Sequence, residues 1–113
     1  MKRTSLLQRT SGLRRESAKR RALREERARV RLIVFARDSW RCQAGVLPAL
    51  RHYSPCFGAL TPHHVVKASQ GGKYEEQNLV TLCAHHNELL ESDANFARLG
   101  RRYGLVRRGK ATD

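Results

Sequence analysis

The hydrophobic and polar pattern first becomes helical in residues 16–38, where Leu23, Val30, Ile33, Val34 and Arg37 recur at three- and four-residue steps while the opposite face carries Arg and Lys. That spacing predicts a basic amphipathic helix, and Glu16, Glu25 and Glu26 can pair with arginines three or four positions on. Residues 1–15 lack such periodicity and read as a flexible basic arm. The helix should end near Asp38, leaving Trp40 as a core anchor and residues 43–55, with two prolines and one histidine, as a loop. Beyond it the period changes to two. Residues 61–66 predict a strand with His63 and His64 on opposite faces, and residues 79–82 predict a second, apolar strand. Residues 69–73, with Gly71 and Gly72, form a flexible turn between them, so the strands pair antiparallel.

From residue 84 to about 102 the pattern is helical again, in two pieces broken near Ser92 and Asp93, either of which can cap the second. Leu89, Leu90, Phe96 and Leu99 give it an apolar face, Gly104 ends it, and Leu105 and Val106 add a short strand before the chain frays. The predicted organisation is an arm over 1–15, a helix over 16–38, a folded domain over 39–104 and a basic tail over 105–113.

At 113 residues and 40% hydrophobic content, the chain is one small domain whose thin core calls for a staple. Three cysteines cannot all pair within one chain, and the N-terminus carries no apolar run of signal-peptide or membrane-span length. A cytoplasmic location with reduced thiols is therefore expected, which favours metal ligation. The net charge of +13 is concentrated in the first 40 residues, which hold 13 Lys and Arg against four acidic residues. Such a field attracts polyanions, nucleic acid above all. Arg20, Arg21, Arg24 and Arg27 of the helix, with Lys67 and Lys73 of the interstrand segment, are the candidate nucleic-acid contacts.

Two constellations carry chemistry. Cys42, Cys56, Cys83 and His86 suit a structural zinc site, because zinc takes soft thiolates and imidazole in a closed tetrahedron and Cys83-x-x-His86 has knuckle spacing. His85 or His52 could replace His86 as fourth ligand. The second set is His63, His64, Asn78, Asn87 and Glu91. On a helix starting near Ala84, Asn87 and Glu91 share one face while His86 is rotated about 100° from Asn87, which leaves room for two separate metal sites. Phosphodiester cleavage needs a base to activate water and a cation to neutralise developing charge; a histidine suits the first role, and Asn and His side-chain atoms can hold the ion for the second.

PHHVV, the Gly-Gly loop, NLVTLC and the His-Asn at the helix start resemble the HNH endonuclease family, in particular small HNH proteins encoded by bacteriophages. The spacings agree: His64 to Asn78 is 14 positions and Asn78 to Asn87 is 9. The likeness implies an α+β fold, a small ββα-metal domain with a zinc-stapled knuckle behind a long basic helix. It also implies that His64 is the general base, His63 and Asn87 ligate the catalytic ion, Glu91 completes its shell, and Asn78 braces the loop. Asn87 stands where relatives carry a histidine, and Glu91 where many carry another. These harder oxygen ligands favour Mg2+ or Mn2+ at the catalytic site beside Zn2+ at the structural one.

The expected function is a divalent-metal-dependent DNA endonuclease or nickase with little sequence preference. The resemblance implies action in the host cytoplasm, alongside phage packaging or replication proteins, with the oligomeric state left open. The alternative is a zinc-ribbon-like nucleic-acid-binding module without catalysis, and a third reading is a packaging accessory whose metal only folds it. The binding-module reading leaves His63, His64, Asn78 and Asn87 unexplained.

Overall fold

The computed structural model describes residues 16–108; the expected arm over 1–15 and residues 109–113 lie outside the described residues. Helix α1 spans Ala18–Arg37, opened by Ser17, whose side chain accepts from the Arg20 N–H. Its N-terminal half, residues 18–27, is exposed throughout, and only further on do Val30, Val34 and Phe35 become buried. Val30 and Val34 pack on Leu79, with Tyr74 half-buried against them. The helix therefore docks by its second half and presents its first half, rich in arginine, to solvent.

Two residues fasten that docked end. Arg37 donates to the carbonyls of Glu76 (2.8 Å) and Leu79 (2.7 Å), and Asp38 accepts from the Thr81 N–H at 3.0 Å. Burial works against the Asp38 carboxylate, but the Arg37 guanidinium and the Thr81 N–H outweigh it and hold its pKa below the usual carboxylate range.

Strands β1 (Leu60–His64) and β2 (Leu79–Cys83) pair antiparallel, from Leu60 opposite Cys83 to His64 opposite Leu79. The first strand was expected to run to Val66, and Asn78 shows why the ladder stops early. Val65 still donates to the Asn78 carbonyl, but Val66 bonds the Asn78 side chain, its N–H donating to Oδ1 and its carbonyl accepting from Nδ2. A side-chain amide thus stands in for the next rung.

Helix α3 (Ala84–Ser92) leaves β2 directly, and α4 (Ala94–Arg102) follows after Asp93, which caps it by accepting from the Asn95 and Phe96 N–H groups. This break is where the sequence placed it. The main core joins Cys42, Ala44, Leu50, Leu82, Cys83, Leu90, Phe96 and Leu105.

Three expectations are corrected. The stretch between Cys42 and Cys56 is not all loop: α2 spans Pro48–Tyr53, with proline in its first turn where a missing N–H costs nothing, and buries Leu50 completely. Trp40 is no core anchor; it is 55% exposed. Ser39 and Trp40 both adopt positive φ (58° and 55°), which reverses the chain at the helix end and turns the indole outward over Phe35, at 5.3 Å between ring centroids, while Cys42 and Ala44 enter the core. Leu105 and Val106 form no strand, because the Leu105 N–H is taken by the Gly100 carbonyl and its own carbonyl by a side chain of β1.

Candidate metal centre and active site

Cys42, Cys56, Cys83 and His86 converge from three segments, with ligand atoms all within 4.8 Å of one another. His86 Nδ1 lies 3.3, 3.7 and 3.2 Å from the sulfurs of Cys42, Cys56 and Cys83. Around a tetrahedral zinc, with Zn–S near 2.3 Å and Zn–N near 2.0 Å, such edges are roughly 3.5 Å, so the donors fit that ion in kind and spacing. His86 is fully buried, stacked on Phe96, and donates through Nε2 to the Ser54 carbonyl at 2.7 Å, which leaves Nδ1 bare toward the sulfurs. Of the alternative ligands, His85 bonds Ser54 Oγ instead and His52 is exposed on α2.

Burial raises the Cys83 thiol, but N–H groups of His86 and Phe57 aimed at its sulfur outweigh that and lower its pKa. Burial and the neighbouring Cys42 push Cys56 up to about 12. Crowded sulfurs of this kind share negative charge readily only with a cation among them. Gly45 makes the crowding possible, since a Cβ there would lie 2.5 Å from Cys56 Sγ.

On the other face of α3, His63 and Asn87 meet. His63, buried on β1, has Nδ1 3.0 Å from Asn87 Oδ1 and Nε2 2.9 Å from the Leu105 carbonyl. The amide's orientation follows from its other partner: Asn87 Nδ2 donates to Thr61 Oγ1 (3.1 Å), whose own proton goes to the Leu82 carbonyl (3.2 Å). Both ring nitrogens of His63 therefore face oxygen acceptors. A neutral imidazole has one N–H, so in either tautomer one contact sets two lone pairs against each other. A second proton or a cation resolves the conflict. Burial lowers the His63 pKa, with the neighbouring His64 adding to the effect and the Leu105 carbonyl, Asn87 and Glu91 opposing it, which disfavours the second proton.

A cation fits. With Nε2–H given to Leu105, the Nδ1 lone pair and Asn87 Oδ1 are 3.0 Å apart, the edge of an octahedron whose metal–ligand bonds are about 2.1 Å. Both buried histidines share one arrangement, with Nδ1 turned to side-chain donor atoms and Nε2 turned to a backbone carbonyl. Glu91 lies one turn beyond Asn87 and pairs with Lys67 at 3.1 Å. His64, half-buried, packs edge-on to Tyr74 at 5.7 Å between ring centroids, and Arg27 covers the same Tyr74 ring at 5.2 Å. Asn78 is buried and donates to the carbonyls of both Val66 and Lys73, cinching the interstrand segment.

Of the basic residues singled out in the sequence, Arg20, Arg24 and Arg27 line one groove of ≈ 540 Å³ with Arg31 and Tyr74, and Lys73 lines a second cleft. Arg21 is exposed on α1 without lining either, and Lys67 is committed to Glu91. The sequence reading missed Thr61, Gly45, Tyr74 and the carbonyls of Ser54 and Leu105. Thr61 was within reach, because it lies two residues before His63 and hence on the same face of the strand. A backbone carbonyl leaves no signature in residue types.

No helix among the described residues is long and apolar enough to cross a membrane. No curated protein and no solved structure matches the chain. Residues 51–92 match the model of the HNH endonuclease family, a segment that holds the hairpin, α3 and every residue of the second constellation. A two-stranded antiparallel hairpin leading into a helix, beside a Cys3His cluster able to hold a metal, is consistent with the ββα-metal fold of the HNH endonuclease family that residues 51–92 match.

Proposed function

We propose that this protein is a divalent-metal-dependent DNA endonuclease or nickase. The observation that carries the reading is the convergence of His63 Nδ1 and Asn87 Oδ1, held 3.0 Å apart while His63 Nε2 faces the Leu105 carbonyl and Asn87 Nδ2 donates to Thr61. They would hold Mg2+ or Mn2+, with Glu91, one turn beyond Asn87 on α3, as a further oxygen donor once released from Lys67. The bound ion supplies electrostatic stabilisation of the charge that develops on phosphate and leaving oxygen. His64 takes the proton from the attacking water and hands it to solvent. Tyr74 limits its ring's freedom, and Asn78 acts as a positioning residue by fixing the strand end that carries it. The Cys3His cluster holds Zn2+ as a structural ion and fastens the N-terminus of α3 to the segments at Cys42 and Cys56. The arginine face of α1 supplies backbone contacts without base readout.

A non-catalytic zinc-dependent binder would use the same cluster and the same charge, but would have no use for the His63–Asn87 pair. Incubation with supercoiled plasmid in Mg2+ or Mn2+ separates the two. Nicking that disappears in His64→Ala and with chelator, while DNA binding persists, supports the enzyme. Binding without nicking by the parent protein overturns it.

A further inference from the structure

The family match stops at residue 92, yet the chain beyond it returns to the site. After α4, Leu105 gives its N–H to Gly100 and its carbonyl to His63, and Arg107 gives its N–H to the Val65 carbonyl. Residues 105–108 are thus strapped along the end of β1. Between this strap and the interstrand segment lies a cleft of ≈ 810 Å³ lined by Lys73, Arg107 and Arg108, with Glu75 as its one acidic side chain. Its walls are held in place. Asn78 grips the Val66 and Lys73 carbonyls, the Gly72 N–H bonds Lys67, and a Cβ at Gly72 would fall 1.8 Å from the Val66 carbonyl oxygen.

We infer that this cleft is a second binding site for the sugar–phosphate backbone of the nucleic acid, separate from the arginine face of α1, with Lys73, Arg107 and Arg108 as its cationic contacts. The choice of partner rests on the nuclease reading above. Two features support it. Arg107 is two residues from the carbonyl that holds His63, at most about 7 Å of chain, so a strand seated at His63 continues into the cleft. Lys73 and Tyr74 are adjacent, yet Lys73 faces this cleft and Tyr74 faces the groove of α1, so one backbone can cross from one cationic surface to the other.

The test uses the full zinc-loaded chain in a His64→Ala background without catalytic divalent ion, so that it reads binding alone. Affinity for a short DNA duplex is measured against KCl concentration. Arg107→Gln with Arg108→Gln should flatten the slope of log K against log salt by about 2, since each lost phosphate contact removes about 0.9. Arg101→Gln with Arg102→Gln, which removes the same charge from α4 outside the cleft, should leave the slope nearly unchanged; zinc content and melting curves confirm that both variants fold. An unchanged slope in the first pair, or equal flattening in both, overturns the inference. So does full duplex affinity combined with lost binding to polyglutamate, which would assign the cleft to an acidic protein. Absence of nicking by the parent protein together with the expected slope change would sink the nuclease reading and leave the cleft standing.

Discussion

His63 and Asn87, 24 positions apart in the chain, meet with Nδ1 and Oδ1 3.0 Å apart, while His63 Nε2 faces the Leu105 carbonyl. The arrangement depends on Thr61, whose hydroxyl accepts from Asn87 Nδ2 and so turns the amide oxygen toward His63. Thr61→Val keeps the shape of the side chain and removes that acceptor. We expect the affinity for Mn2+, measured by calorimetry on the zinc-loaded protein, to fall 10- to 100-fold, as is usual when a group that orients a metal ligand is lost. Unchanged affinity would mean that the amide's orientation is immaterial.

The Cys3His cluster should hold one zinc per chain. Cys83→Ser removes a ligand that also caps α3, and should abolish the cooperative melt, as should prolonged chelation. Gly45→Ala is the finer probe. Its added methyl would lie 2.5 Å from Cys56 Sγ, so zinc release to a chromophoric chelator should be faster than in the parent although no ligand is altered.

Asn78 makes three hydrogen bonds that close the interstrand segment. Asn78→Ala leaves the Val66 and Lys73 groups to find other partners and should cost about 3 kcal/mol in chemical denaturation. If Asn78 positions His64, nicking should fall further than Mn2+ binding does. Equal loss of both would reduce its role to stability.

Asp38 links α1 to β2, and its folded pKa lies below the unfolded value near 4. A depressed carboxylate contributes stability that is complete above the unfolded pKa and is lost as pH falls through the folded one. The melting temperature should therefore drop below about pH 4, and Asp38→Asn should lack that component of the drop. Parallel acid profiles for parent and variant would remove Asp38 from the account.

Much of the fold was legible because its elements are local. Val30, Ile33 and Val34 announce the docked half of α1, the period-two stretch marks the hairpin, and Asp93 marks the break between α3 and α4. The zinc-type donors were legible as residue types, although their convergence needed the fold. The misses share one cause, which is that side-chain identity does not encode backbone path. Trp40 reads as core until two positive-φ residues turn it outward, and Leu105 reads as the tail until its carbonyl is found on His63. Helix α2 was hidden because two prolines read as loop, whereas Pro48 sits in the first turn, where proline is tolerated.

The central claim is that His63 and Asn87 converge on one divalent cation, and anomalous scattering from crystals of the zinc-loaded protein grown with Mn2+ tests it most directly. The account predicts a manganese peak about 2.1 Å from both His63 Nδ1 and Asn87 Oδ1, distinct from the zinc among Cys42, Cys56, Cys83 and His86. No manganese at that position at saturating concentration, or a proton-bridged His63–Asn87 pair with the ion bound elsewhere, would contradict it.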